Sequence, residues 1–145
     1  MLIKDFGPKL SEQDIDAIEG EFGFPFPQSY RKFLLQYNGG SPEPDTIDIP
    51  GHPQSPTDVQ VFFGVEREVK TDCLEWNIEL IGLRCSIQRL LPIACDSGGN
   101  IFCLNISPLG EGKVIYCDLN EPICKIYEVA ASFDDFTSQL RMFEH

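Results

Sequence analysis

Tyr30, Phe33, Leu34 and Tyr37 recur at i, i+3, i+4 and i+7, which draws one apolar stripe along a helix. Pro27 fits the first turn of that helix, because its missing N–H would find no intrahelical acceptor there. Asn38-Gly39-Gly40 tolerates positive φ, so the helix stops and the chain reverses. An earlier helix is predicted from Ser11 and Asp14, spaced as a capping box, with Leu10 and Ile15 placed as a hydrophobic staple. Its stripe is Ile15, Ile18 and Phe22, and Gly23 is the stop. The short link Gly23-Phe24-Pro25-Phe26 makes the two helices a hairpin-like pair.

The pattern then breaks. Pro42, Pro44, Pro50, Pro53 and Pro56 exclude a long helix and leave room only for a short edge strand such as Thr46-Ile47-Asp48-Ile49. Val59-Gln60-Val61-Phe62-Phe63, closed by Gly64, reads as a strand. Asp72 and Glu75 read as the capped start of a third helix with Leu74, Ile78 and Ile81 as its stripe, and Trp76 is expected to pack in the core beside it. From Leu91 the period changes to two. Leu91 to Cys95, Ile101 to Ile106, Val114 to Cys117 and Cys124 to Tyr127 are strands. Ser97-Gly98-Gly99 and Leu109-Gly110-Glu111-Gly112 turn the first three into an antiparallel meander. Ser132 and Asp135 cap a last helix with Phe133, Phe136, Leu140 and Phe143 on one side.

These motifs, taken in order, carry a resemblance. The Phe26-Pro27 step, Tyr30, the Phe33-Leu34 pair and the closing Asn38-Gly39-Gly40 resemble the N-terminal signature of the SUKH superfamily, in its Smi/Knr cell-wall-regulator branch. Leu91-Pro92-Ile93-Ala94, Asp96, Gly99-Asn100, Gly112-Lys113-Val114-Ile115-Tyr116 and Ser132-Phe133-Asp134-Asp135-Phe136 extend the likeness over about residues 11 to 141. The chain departs from many relatives at Tyr116-Cys117-Asp118, where they place a second aromatic and often a histidine after the acidic residue. The resemblance implies a binding protein, in many members an immunity protein that neutralises a bacterial toxin. The alternative it implies is a regulatory or scaffolding module of the cell-wall-regulator type.

A chain of 145 residues is one ordinary domain, large enough to bury its core without staples. No 18-residue apolar run exists, and Met1-Leu2-Ile3-Lys4-Asp5 lacks a secretory h-region, so the cytoplasm is expected. The net charge of −12 speaks against nucleic acid as a partner. Residues 1–80 hold 15 acidic and 6 basic side chains, so most of the imbalance lies in the first half. Opposite potentials steer encounter, and a basic protein would be drawn to such a face.

Six cysteines, with gaps of 12, 10, 8, 14 and 7 and no C-x-x-C, lack the close ligand pairs of a structural zinc site. They are expected to be reduced core thiols, with no metal and no cofactor bound. Asp96-Ser97-Gly98-Gly99 looks like a chymotrypsin-type nucleophile segment, but only His52 could serve as its base, and a hairpin turn accounts for it better. EF-hand, dinucleotide and P-loop patterns are absent. Paired acids such as Glu66 with Glu68 could in principle serve a small hydrolase, yet the sequence places no two across a cleft.

A run of helices followed by a run of strands predicts one α+β domain over residues 1–145, with helices packed on a mostly antiparallel sheet of about five or six strands. The expected function is non-enzymatic: binding a protein partner, a basic toxin domain, with no catalytic residues. The candidate docking face is Glu43, Asp45, Asp48, Asp58, Glu66 and Glu68, chosen for charge and loop placement, with the sheet as the alternative docking surface.

Overall fold

The period-two segments between residues 90 and 130 build the centre of the molecule. The computed structural model of the chain describes residues 1–85, 89–108 and 112–144. Strands β5 (Val61–Phe62), β6 (Leu90–Cys95), β7 (Ile101–Asn105), β8 (Lys113–Asp118) and β9 (Lys125–Ala130) lie in that spatial order, each antiparallel to the next. Two small antiparallel ribbons flank this sheet: β1 (Leu2–Lys4) with β2 (Ser41–Glu43), and β3 (Thr46–Ile47) with β4 (Thr57–Asp58). The α+β expectation and its antiparallel sheet are therefore observed.

Every residue of β7 is buried, so both faces of the sheet are covered. Side chains alternate along a strand. Phe102 and Tyr116, paired across β7 and β8, point to the side of α4 (Phe133–Ser138), where Phe102 meets Phe136 at 5.2 Å between ring centroids. The stripe of α2 (Gln28–Gln36) joins the same layer: Tyr30 and Phe33 lie 5.3 and 5.1 Å from Phe133. Cys103 and Cys117 fall on the opposite face, towards the end of α3 (Leu74–Arg84), which packs on β6. The rings gathered around Phe133 and Phe136 each remove a large apolar area from water, the main stabilising effect in such a core.

Helix α1 (Glu12–Phe22) starts at the Ser11–Asp14 capping box and ends at Gly23, as the sequence predicts. Arg31 of α2 ties the pair together, bonding Glu12, Asp16 and Glu19 of α1. Pro27 stands at the N-cap of α2, one position before the first turn.

Four expectations need correction. The Asp72–Glu75 cap does not form: Lys70–Asp72 is a short 3-10 turn, and α3 begins at Leu74 after Cys73 with no side-chain cap. Trp76 is 40% exposed and lies under Lys70, because it projects off the Leu74–Ile81 stripe. Phe143 is exposed, since α4 ends at Ser138 and the stripe cannot reach it. The cysteines are not all reduced: Cys85 and Cys124 form a disulfide, while Cys73, Cys95, Cys103 and Cys117 are free. The turn expected at Leu109–Gly112 falls largely outside the described residues.

Candidate functional site

The helix-stopping segment after α2 is a three-way junction. Asn38 is buried, and its amide nitrogen donates to the carbonyls of Pro8 and Val65, both at 3.0 Å. The Val65 N–H donates back to Asn38 Oδ1 at 2.7 Å, and Gly7 N–H donates to the Asn38 carbonyl at 2.9 Å. One side chain thus fastens the N-terminal segment, the end of α2 and the stretch after β5. Gly40 then exchanges both backbone bonds with Phe62, at 3.1 and 2.7 Å. Its φ of +119°, and the 2.6 Å that would separate a Cβ from Ile3 Cγ2, admit only glycine there.

The junction leaves an open cleft of about 510 Å³ between β2, β5 and the 67–72 stretch. Asp5, Glu68 and Asp72 supply its carboxylates, with Gln60 and Thr71 as neutral polar groups. Arg67 is its single cation among the described lining residues, and that charge is already engaged: the guanidinium donates to the carbonyls of Asn38 and Asp5. Burial pushes the Asp72 carboxyl above its ordinary range, with Arg67 opposing.

Of the six acids chosen from sequence, Glu68 lines this cleft and exposed Glu66 lies two residues before it, at a left-handed φ of +53°. Glu43 is exposed on β2 and pairs with Lys4 at 2.7 Å. Asp45 is exposed beside β3. Asp48 is held below the usual carboxylate range by its hydrogen bond with Arg141, 2.9 Å away. Asp58 is half-buried and accepts from the N–H of exposed Ser97 at 2.8 Å and from the Ser97 hydroxyl. The structure adds Asp5, which no local motif marks, and Asp72, which the sequence offered only as a helix cap; only the fold brings residues 5, 68 and 72 together.

A second polar cluster lies under the Asp96 turn. Asp96 accepts from Thr57 Oγ1 at 2.8 Å, the Tyr116 hydroxyl, and the N–H groups of Gly98 and Asn100 at 3.0 and 2.9 Å. Asn100 donates to the Tyr116 hydroxyl at 2.8 Å and accepts from Leu119 N–H at 2.8 Å. Beside them, His52 Nε2 meets Asp118 Oδ2 at 2.9 Å, and its ring stands edge-on to Tyr127 at 4.9 Å. The backbone N–H of Gln54 can only donate, so Nδ1 of His52 accepts and Nε2 carries the proton. Burial would raise Asp118, but the bonds from His52 and the Asn120 N–H outweigh it and hold this carboxyl below its ordinary range. Both imidazole nitrogens are occupied, and Ser97 bonds Asp58 rather than His52. That arrangement offers no base to the protease-like segment.

The family model described as SMI1 / KNR4 family (SUKH-1) matches residues 9–139. The chain belongs to that family. Neither the curated proteins nor the solved structures contain a match to it. SUKH-1 membership assigns the general character of an immunity or regulatory module that works through protein–protein interaction, in a family that is generally non-catalytic. No described helix of this SUKH-1 domain is long and apolar enough to cross a membrane.

Proposed function

We propose that this SUKH-1 protein is an immunity protein, acting in the cytoplasm, that binds a basic toxin domain and blocks it by occlusion. The observation that supports this reading is the cleft beside the Asn38 junction, where Asp5 and Glu68 are exposed while Arg67, the one cation among the described lining residues, is bound to backbone carbonyls. Partners with Lys or Arg at a nucleic-acid or phosphate site would meet a complementary potential there. Glu66 and Glu68, with Asp5, form the inner contact, and Glu43, Asp45 and Asp48 contribute at the rim. Asp58 contributes through the turn it fastens. Central contacts would supply most of the affinity, and the outer charges the association rate.

Co-expression with any C-terminal toxin domain found encoded beside this gene tests the proposal. Restored growth, together with a complex recovered by pull-down, is the expected result. Failure of both sinks the immunity reading and leaves a regulatory interaction module.

A further inference from the structure

The gaps between cysteines hide a cluster that the fold assembles. Sγ atoms of Cys85, Cys117 and Cys124 all lie within 4.8 Å of one another. They come from three elements: the C-cap of α3, strand β8 and the loop before β9. Cys103 stands behind them on β7, its sulfur 4.0 Å from that of Cys117. We propose that Cys85, Cys117 and Cys124 form a redox-gated site that binds a soft divalent cation, Zn²⁺, when the Cys85–Cys124 disulfide is reduced.

The donor set selects the ion. Three sulfurs and no carboxylate in the group suit a thiolate-loving metal and not Mg²⁺ or Ca²⁺. Zinc–sulfur bonds of about 2.3 Å at tetrahedral angles put ligand sulfurs roughly 3.8 Å apart. Once the disulfide opens, Cys85 and Cys124 can separate to that spacing, and Cys117 needs to close by about 1 Å or less. A solvent molecule completes the four ligands. Three thiolates and one Zn²⁺ leave a single negative charge, and cations stand nearby in sequence and space. Arg84 precedes Cys85 and donates to the carbonyls of Leu119 and Glu121, in the loop that carries Cys124, while Lys125 follows Cys124. Cys124 is half-buried and lines an open groove of about 440 Å³ formed by residues 121–125, which gives ion and reductant a route in.

Gating follows from the bond inventory. A dithiol reductant supplies two electrons and two protons, becomes a disulfide itself, and converts Cys85–Cys124 into two thiols. Zn²⁺ then displaces the three thiol protons to solvent. Reducing compartments disfavour disulfides, so there the cluster is a set of adjacent thiols ready for the cation. A disulfide oxidant, itself reduced to a dithiol by the two electrons it accepts, re-forms Cys85–Cys124, withdraws two of the three ligands and releases Zn²⁺. The reading is independent of the acidic cleft.

Full-length protein, reduced with a dithiol and freed of it under inert gas, is titrated with Co²⁺ and then Zn²⁺. One Co²⁺ per chain is expected, with a thiolate-to-cobalt charge-transfer band that Zn²⁺ abolishes, and no band from oxidised protein. Cys117→Ala and Cys124→Ser should lose the band, whereas Cys73→Ala and Cys95→Ala keep it, with circular dichroism confirming the fold of each. Cys124 lies in a surface loop, so its variant decides the matter if Cys117→Ala does not fold. No band in the reduced chain, a band surviving in folded Cys124→Ser, or a reduced chain that unfolds and is not restored by Zn²⁺ would each overturn the proposal.

Discussion

Two acid-rich regions of this molecule carry similar side chains in opposite states. Under the turn after β6, Asp96 is buried and accepts four hydrogen bonds, and neighbouring Asp118 is held by His52 and a backbone N–H. In the cleft beside Asn38, Glu68 and its neighbours face an open volume. Buried carboxylates with saturated acceptors specify the fold; the open ones are free to meet something else. Sequence charge counts merge the two kinds, and the hydrogen-bond inventory separates them.

The sharpest way to break this comparison is Asp96→Asn, which would turn an amide NH₂ towards hydroxyl and N–H donors. We expect a loss of about 3 kcal/mol in urea unfolding; an unchanged midpoint would deny the turn its structural role. Asp118→Asn comes next, at about 1–2 kcal/mol at pH 7. The sign with pH follows from its depressed carboxyl. The stability it contributes is complete above the ordinary aspartate pKa of about 4 and is lost as pH falls through the lower folded value. The variant should therefore converge with the parent in acid, measured by denaturation between pH 2 and 7. Asp72→Asn runs the other way. Its carboxyl is raised by burial, so the charge it carries at neutral pH costs stability, and its removal should gain about 0.5 kcal/mol or less because water screens the cleft. A loss would show that Arg67 outweighs desolvation. The smallest stability effect belongs to the pair Glu66→Lys and Glu68→Lys: no shift in melting temperature, but weaker capture of the basic partner and slower, less salt-dependent association. Unchanged affinity and kinetics would remove these inner contacts from the docking surface.

The elements with strong local grammar were legible before the fold. Ser11 and Asp14 form the box they spell, Gly23 stops α1, and the period-two runs become β6 to β9. Asp96 bonds its own turn, as an acid ahead of Gly98-Gly99 suggests. What escaped was set by tertiary context. Asp72 resembles a cap, yet the 3-10 turn delays α3 to Leu74, so the spacing is out of register. His52 and Asp118 stand 66 residues apart, and Cys85 and Cys124 stand 39 apart; no spacing rule reaches such distances. Likewise the cleft combines residues 5, 68 and 72, and its carboxylates could be counted from the sequence but not assembled.

The clamp made by Asn38 bears on how the cleft would meet a visitor. Because Asn38 holds Pro8 and Val65 through its side-chain amide and Gly7 through its backbone carbonyl, both walls are fastened to the core rather than hung on free loops. A mouth already set in its bound shape gives up little conformational freedom on docking, so tight capture could come from a modest area, with scant difference between empty and occupied forms.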